Sequence, residues 1–178
     1  MNLTFVERDR RIEQYASAPE RLREALAGVP AEAMKWRPEP GEFSVHEIIC
    51  HCADAETNDY SRIRYVLAEK EPLIVAYDEE AWAVRLDYHN HPLDLALATV
   101  EAVRANTTAL LRRVPEEAWE RAGTHTKSGR FTTEDWLITC SEHLDEHIAQ
   151  IEGNLRRWRA RGPAEGSAVV TQEKDDAA

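Results

Sequence analysis

Apolar positions along this chain fall into four long stretches with helical spacing, separated by connectors rich in proline, glycine and hydroxyl residues, and no stretch shows strand-like alternation. Phe5, Ile12, Tyr15, Leu22, Leu26 and Val29 recur among charges, which predicts an amphipathic helix from about Thr4 to Gly28. A bend is expected at Ser17-Ala18-Pro19, because the residue before a proline is disfavoured in the α region. Pro30 to Phe43 holds three prolines and one glycine and reads as a connector with a short turn around Ala31 to Met34. Ser44 with Glu47 three residues later has the spacing of a capping box and opens a second helix to about Glu69. Along it Ile48, His51, Ala55, Asn58 and Arg62 share one stripe, so polar groups point inward with apolar ones.

Lys70 to Asn90 has no sustained period and reads as a loop with a short helix near Asp78 to Val84, a length that suits a wall or cover over a site. His91-Pro92 starts a third helix to about Arg113, with Leu93, Leu97, Val100, Val103, Thr107, Leu110 and Leu111 on its buried side. The fourth runs from Thr132 to Arg157. VPEEAW at 114–119 echoes VPAEAM at 29–34, and each connector ends in an aromatic and a hydroxyl, Phe131-Thr132 and Phe43-Ser44. Helix, connector, helix, twice over, predicts an all-α antiparallel four-helix bundle with an internal two-fold pseudo-repeat. Residues 1–161 form that domain, and the small, polar and acidic 162–178 is expected to be a disordered tail.

A length of 178 residues with 43% hydrophobic content suits one domain with a sizeable core. The formal charge of -11 and pI near 5.1 argue against a nucleic-acid partner, which needs clustered Lys and Arg. No run of 18 apolar residues is present, and Glu7 to Glu13 is charged where a signal peptide would be apolar. A cytoplasmic protein without a membrane partner is expected. Cys50, Cys52 and Cys140 are odd in number and lie within helical patterns, which fits reduced thiols.

The chemistry concentrates in the fourth helix. His143 and His147 are four residues apart, just over one turn, so both imidazoles leave one face and can converge on a single metal ion. A third ligand must come from elsewhere, and His51 is the best-placed candidate. Three histidines from two helices would leave open positions on the ion, the pattern of catalytic rather than structural zinc. Cys50 and Cys52 are turned about 100° from His51 and read as packing residues. Cys140 stands as a remote fourth-ligand option, His46 as a surface residue, and His89 and His91 as capping or solvated groups. His125, in the connector before the fourth helix, is a candidate proton shuttle. Trp119 and Trp136 read as core, Tyr77 and Trp82 as the roof of a pocket, and Arg62 as a candidate partner for an anionic substrate group.

Four segments, EFSVHEIICHCADAE (42–56), SRIRYVLAEKEPLIVAYDEEAWA (61–83), WERAGTHTKSG (119–129) and EHLDEHIAQI (142–151), resemble the DinB-like superfamily of four-helix bundles, and within it the YfiT-like metal-dependent hydrolases. The resemblance implies that His51, His143 and His147 bind a divalent metal, zinc or nickel. Two departures are visible: Cys50 and Glu146 stand where close members of that family carry the first histidine of a doublet. The superfamily also holds thiol S-transferases and maleylpyruvate isomerases, so the implied partner is a small-molecule substrate, a thiol among the candidates. A homodimer is compatible with the sequence. Two functions follow: an enzyme, hydrolase or low-molecular-weight thiol S-transferase, whose metal activates water or thiol, or a non-catalytic stress-related binding or dimerisation module with a vestigial or structural metal site.

Overall fold

The computed structural model describes residues 3–161, so the expected tail at 162–178 lies outside the described residues. In chain order the elements are α1 (Phe5–Ala27), α2 (Ala31–Met34), α3 (Val45–Ala68), β1 (Leu73–Ile74), α4 (Glu79–Arg85), a 3-10 turn at Tyr88–Asn90, α5 (Leu93–Leu111), a 3-10 turn at Glu116–Ala118, β2 (Ala122–His125), β3 (Gly129–Thr132) and α6 (Thr133–Ala160). Three of the four long helices begin in capping boxes, Thr4 with Glu7, Ser44 with Glu47 and Thr132 with Asp135. Each box satisfies amide donors that a helix start would otherwise leave unpaired.

The helices that pack are α1 against α5 and α6, and α3 against α5 and α6. Arg8 meets Glu134 and Arg21 meets Asp145, so α1 and α6 run parallel. His46 meets the His91 carbonyl and Arg64 meets Asn106, so α3 and α5 also run parallel. Within each repeat the two helices are antiparallel, as the sequence predicts, yet they take non-adjacent corners of the bundle. The pseudo-two-fold therefore sets α3 directly against its counterpart α6. That contact carries the histidines.

Three short strands in the order β1-β2-β3 close one end, β1 parallel to β2 and β2 antiparallel to β3. The sequence shows no sign of them because strands of 2–4 residues are too short to display alternation. A Cβ at Gly123 would come within 2.8 Å of the Pro72 carbonyl oxygen, so a glycine is what lets β2 lie against the chain leaving α3. Among the described residues no helix is long and apolar enough to cross a membrane.

The core is divided in two by a polar layer. One apolar cluster contains Leu22, Ile48, Ile49, Val100, Leu144 and Ile151, the other Ile12, Ile63, Val66, Leu111, Trp136 and Leu137. Between them on each helix comes a member of one network: Arg104, fully buried, donates to Glu56 Oε1 at 2.7 Å, to the Tyr15 carbonyl at 2.9 Å and to the Cys140 carbonyl at 3.0 Å. The Tyr15 hydroxyl completes the set by donating to Glu56 Oε2 at 2.9 Å. Burial pushes the Glu56 carboxyl upward and the guanidinium and hydroxyl pull it down. Since every contact to its two oxygens is a donor, the geometry fits the charged pair.

The same network explains why α1 runs unbroken through Pro19, where a bend was expected. Proline lacks the amide that would bond the carbonyl four residues earlier. That carbonyl is Tyr15, and Arg104 supplies the missing donor.

Candidate metal centre

His51 leaves the middle of α3 toward α6 and is only 2% exposed. His143 and His147 leave one face of α6 a turn apart, with their Nε2 atoms 3.1 Å from each other. Ring centroids are 4.8 Å apart for His51 and His147, and 5.5 Å for His51 and His143. One nitrogen from each residue lies within 4.8 Å of the others. Two nitrogens bound to one tetrahedral zinc at ~2.1 Å stand ~3.4 Å apart. The His143–His147 pair is already close to that separation, and side-chain adjustments that together close about 1.4 Å bring in His51.

Protonation favours ligation. Burial holds His51 down to about 4, helped by the neighbouring His147. Burial likewise lowers His143 far below the ordinary imidazole value, with His147, His51 and Arg104 adding to the effect. Both rings are neutral at physiological pH, the form that binds metals. His51 Nδ1 and His143 Nδ1 are buried without a protein hydrogen-bond partner, so these rings are not explained by a hydrogen-bonded core role.

His147 has a support that the sequence reading overlooked. Its Nδ1 donates to Gln150 Oε1 at 2.9 Å, one turn further along α6, which leaves the Nε2 lone pair turned toward His143. H-x-x-Q spacing on a helix was the available signal. Gln150→Ala is expected to weaken metal binding about tenfold, the low end for such supports because this bond is solvent-exposed. Chelator competition reads it, and an unchanged affinity would show that Gln150 has no part in the site.

The remaining candidates lie elsewhere. Cys140 is engaged away from the histidines: its thiol donates to Asp59 Oδ2 at 3.2 Å. His46, expected at the surface, is buried and donates from Nε2 to the His91 carbonyl at 2.8 Å, because the 3-10 turn before α5 folds over the start of α3. Cys50 and Cys52 are buried packing residues. Arg62 stands eleven residues beyond His51 on α3, roughly 16 Å by helical rise. Its guanidinium donates to Asp59 and to the Val75 carbonyl, both at 3.2 Å, and lies over the rings of Tyr77 and Trp136. His125 is in β2, its Nδ1 accepting from the Ser128 amide and its ring facing Trp136. Arg62 and His125 thus cluster around Trp136, apart from the three histidines.

The family model of the DinB superfamily matches residues 14–151. The chain belongs to the DinB superfamily. YfiT of Bacillus subtilis, named a "putative metal-dependent hydrolase", is 28% identical over 152 residues, 85% of each chain. A Bacillus licheniformis protein with the same descriptive name is 30% identical over 79% of this chain and 80% of its own. An Oceanobacillus iheyensis relative, also so named, is 28% identical over 82% and 84%. The solved structure of YfiT matches this DinB-superfamily protein with a TM-score of 0.83 at 26% identity, over 89% of this chain and 91% of that one. YfiT is described there as having "an unusual four-helix bundle topology", and the four long helices here form the same bundle.

Proposed function

We propose that this protein is a divalent-metal-dependent enzyme acting on a small molecule, with His51, His143 and His147 holding the ion. The observation that supports this most is the convergence of three imidazoles, two of them with buried, unpartnered nitrogens, at one contact between α3 and α6. The donor set suits zinc or nickel, since imidazole is a good ligand for both. Such an ion, when bound, lowers the pKa of a water or thiol and polarises an electrophile. The chain's own residues supply the rest: His147 is held in one tautomer by Gln150, and apolar burial keeps His51 and His143 unprotonated. Arg62 acts by anchoring the stretch before α4, through the Val75 carbonyl and the Tyr77 ring.

Hydrolysis and transfer of a low-molecular-weight thiol are the two reactions this site suits, the first in line with the names of the relatives and the second because thiolate is a soft ligand for zinc. Protein purified without a metal-affinity tag is expected to carry about one equivalent of metal per chain, and a His143→Ala, His147→Ala double variant essentially none. Ester, amide and thiol-plus-electrophile substrates then separate the reactions. Stoichiometric metal in the double variant, or rates unchanged in His147→Ala, would overturn the reading.

A further inference from the structure

The three histidines come from α3 and α6, and the loop that the sequence marks as a wall supplies one more donor. Glu79 is the first residue of α4, and its Oε2 lies 4.0 Å from His51 Nε2. No arginine or lysine among the described residues makes an ion pair with it. Its neighbour Asp78 is committed elsewhere, accepting from the Ala81 amide at 3.0 Å as the cap of α4. The segment around Glu79 is fixed on both sides. Before it, Arg62 holds the Val75 carbonyl, and the Ala76 amide donates to Thr126 Oγ1 at 2.8 Å. Across it, the Tyr77 and Trp82 rings meet in a tilted contact, their centroids 4.5 Å apart. The carboxylate is therefore held beside His51 rather than left on a free loop.

Donors to one tetrahedral ion stand ~3.4 Å apart, so the 4.0 Å between Glu79 and His51 has to close by only about 0.6 Å. The electrostatics point the same way. Three neutral imidazoles leave a divalent ion with its full charge beside a 2%-exposed histidine, where solvent screens poorly. A carboxylate at the open side removes half of that charge. We propose that Glu79 is a fourth protein ligand of the ion held by His51, His143 and His147, an inference that rests on the metal-enzyme reading above. Glu79 is 58% exposed and mounted on a seven-residue helix, unlike the histidines on the long helices. It is the ligand that can leave when a substrate anion takes its place.

The test uses the full chain loaded with cobalt(II) or zinc. Glu79→Gln is expected to weaken binding by at least about tenfold in chelator competition, and to change the visible absorption of the cobalt form, because a carboxylate is replaced in its coordination sphere. Glu79→Asp, which keeps the charge on a shorter stem, should fall between, and Glu80→Gln should match wild type. The exposed position leaves the fold intact, which circular dichroism checks. If wild type binds metal and Glu79→Gln shows the same affinity and spectrum, Glu79 is not a ligand while the three-histidine site stands. If wild type binds neither metal, both the site and this inference fall.

Discussion

Replacing Arg104 with Met is expected to cost about 3–5 kcal/mol of folding stability, the range for breaking a buried ion pair by removing one partner. The guanidinium has no exposed surface and serves four groups at once: Glu56 by a salt bridge of 2.5 Å, the Tyr15 and Cys140 carbonyls, and the Tyr15 ring beneath it at 4.1 Å. Its loss leaves a buried carboxylate with only the Tyr15 hydroxyl. It also leaves the Tyr15 carbonyl, already deprived of a partner by Pro19, with no donor. Native domains are stable by only ~5–15 kcal/mol, so this is a large share of the total. Adding Glu56→Met should restore much of the loss, because two apolar side chains of similar volume can replace a buried pair at little net cost. Urea denaturation of the two variants measures both effects. A single variant within ~1 kcal/mol of wild type, or a double variant no better than the single, would show that the network is not what joins the two halves of the core.

The site was more legible in the sequence than the layer that supports it. His143 and His147 announce themselves because four-residue spacing has one meaning in a helix, and the paired connectors at 29–34 and 114–119 already implied that the second and fourth long helices are counterparts. Helix starts were equally readable, since Ser44 with Glu47 is a local signal that needs no tertiary context. What stayed hidden depends on neighbours that no single segment encodes. The apolar stripe of α1 shows that one face is buried, and not that it packs on α5 and α6. Arg104 looks like an ordinary surface arginine of an amphipathic helix until Glu56 and the proline-exposed carbonyl of Tyr15 are brought beside it. Glu79 belongs to a stretch without periodicity, so the sequence gives its loop and not its direction. Cys140 shares the ligand side of α6 in a helical projection, but the projection does not reveal that Asp59 faces it across the bundle.

Metal-stripped protein is expected to lose stability steeply as the pH falls from 6.5 toward 5, before most carboxylates titrate. In the unfolded chain His51 and His143 protonate near the ordinary value of 6.5, whereas in the fold burial holds His51 down to about 4 and keeps His143 low as well. Between those limits the unfolded state binds protons that the folded state refuses, so the stability present above pH 6.5 drains away as the pH falls. Each fully refused proton costs roughly 1.4 kcal/mol per pH unit, giving on the order of 2 kcal/mol per histidine by pH 5. His46, lowered in the same direction by burial, adds to the trend. Carboxylates held low, such as Glu47 at about 2 beside Arg37 and Ser44, lose their contribution only below about pH 4.5, so the higher window belongs to the histidines. Urea unfolding of chelator-treated protein at several values between pH 7.5 and 5 reads the slope, and His51→Gln should flatten it by about half. A slope near zero in wild type would mean that the two rings accept protons in place. The same protons compete with an ion for the ring nitrogens, so metal-loaded protein should release its metal over this range while apo and loaded forms converge in stability.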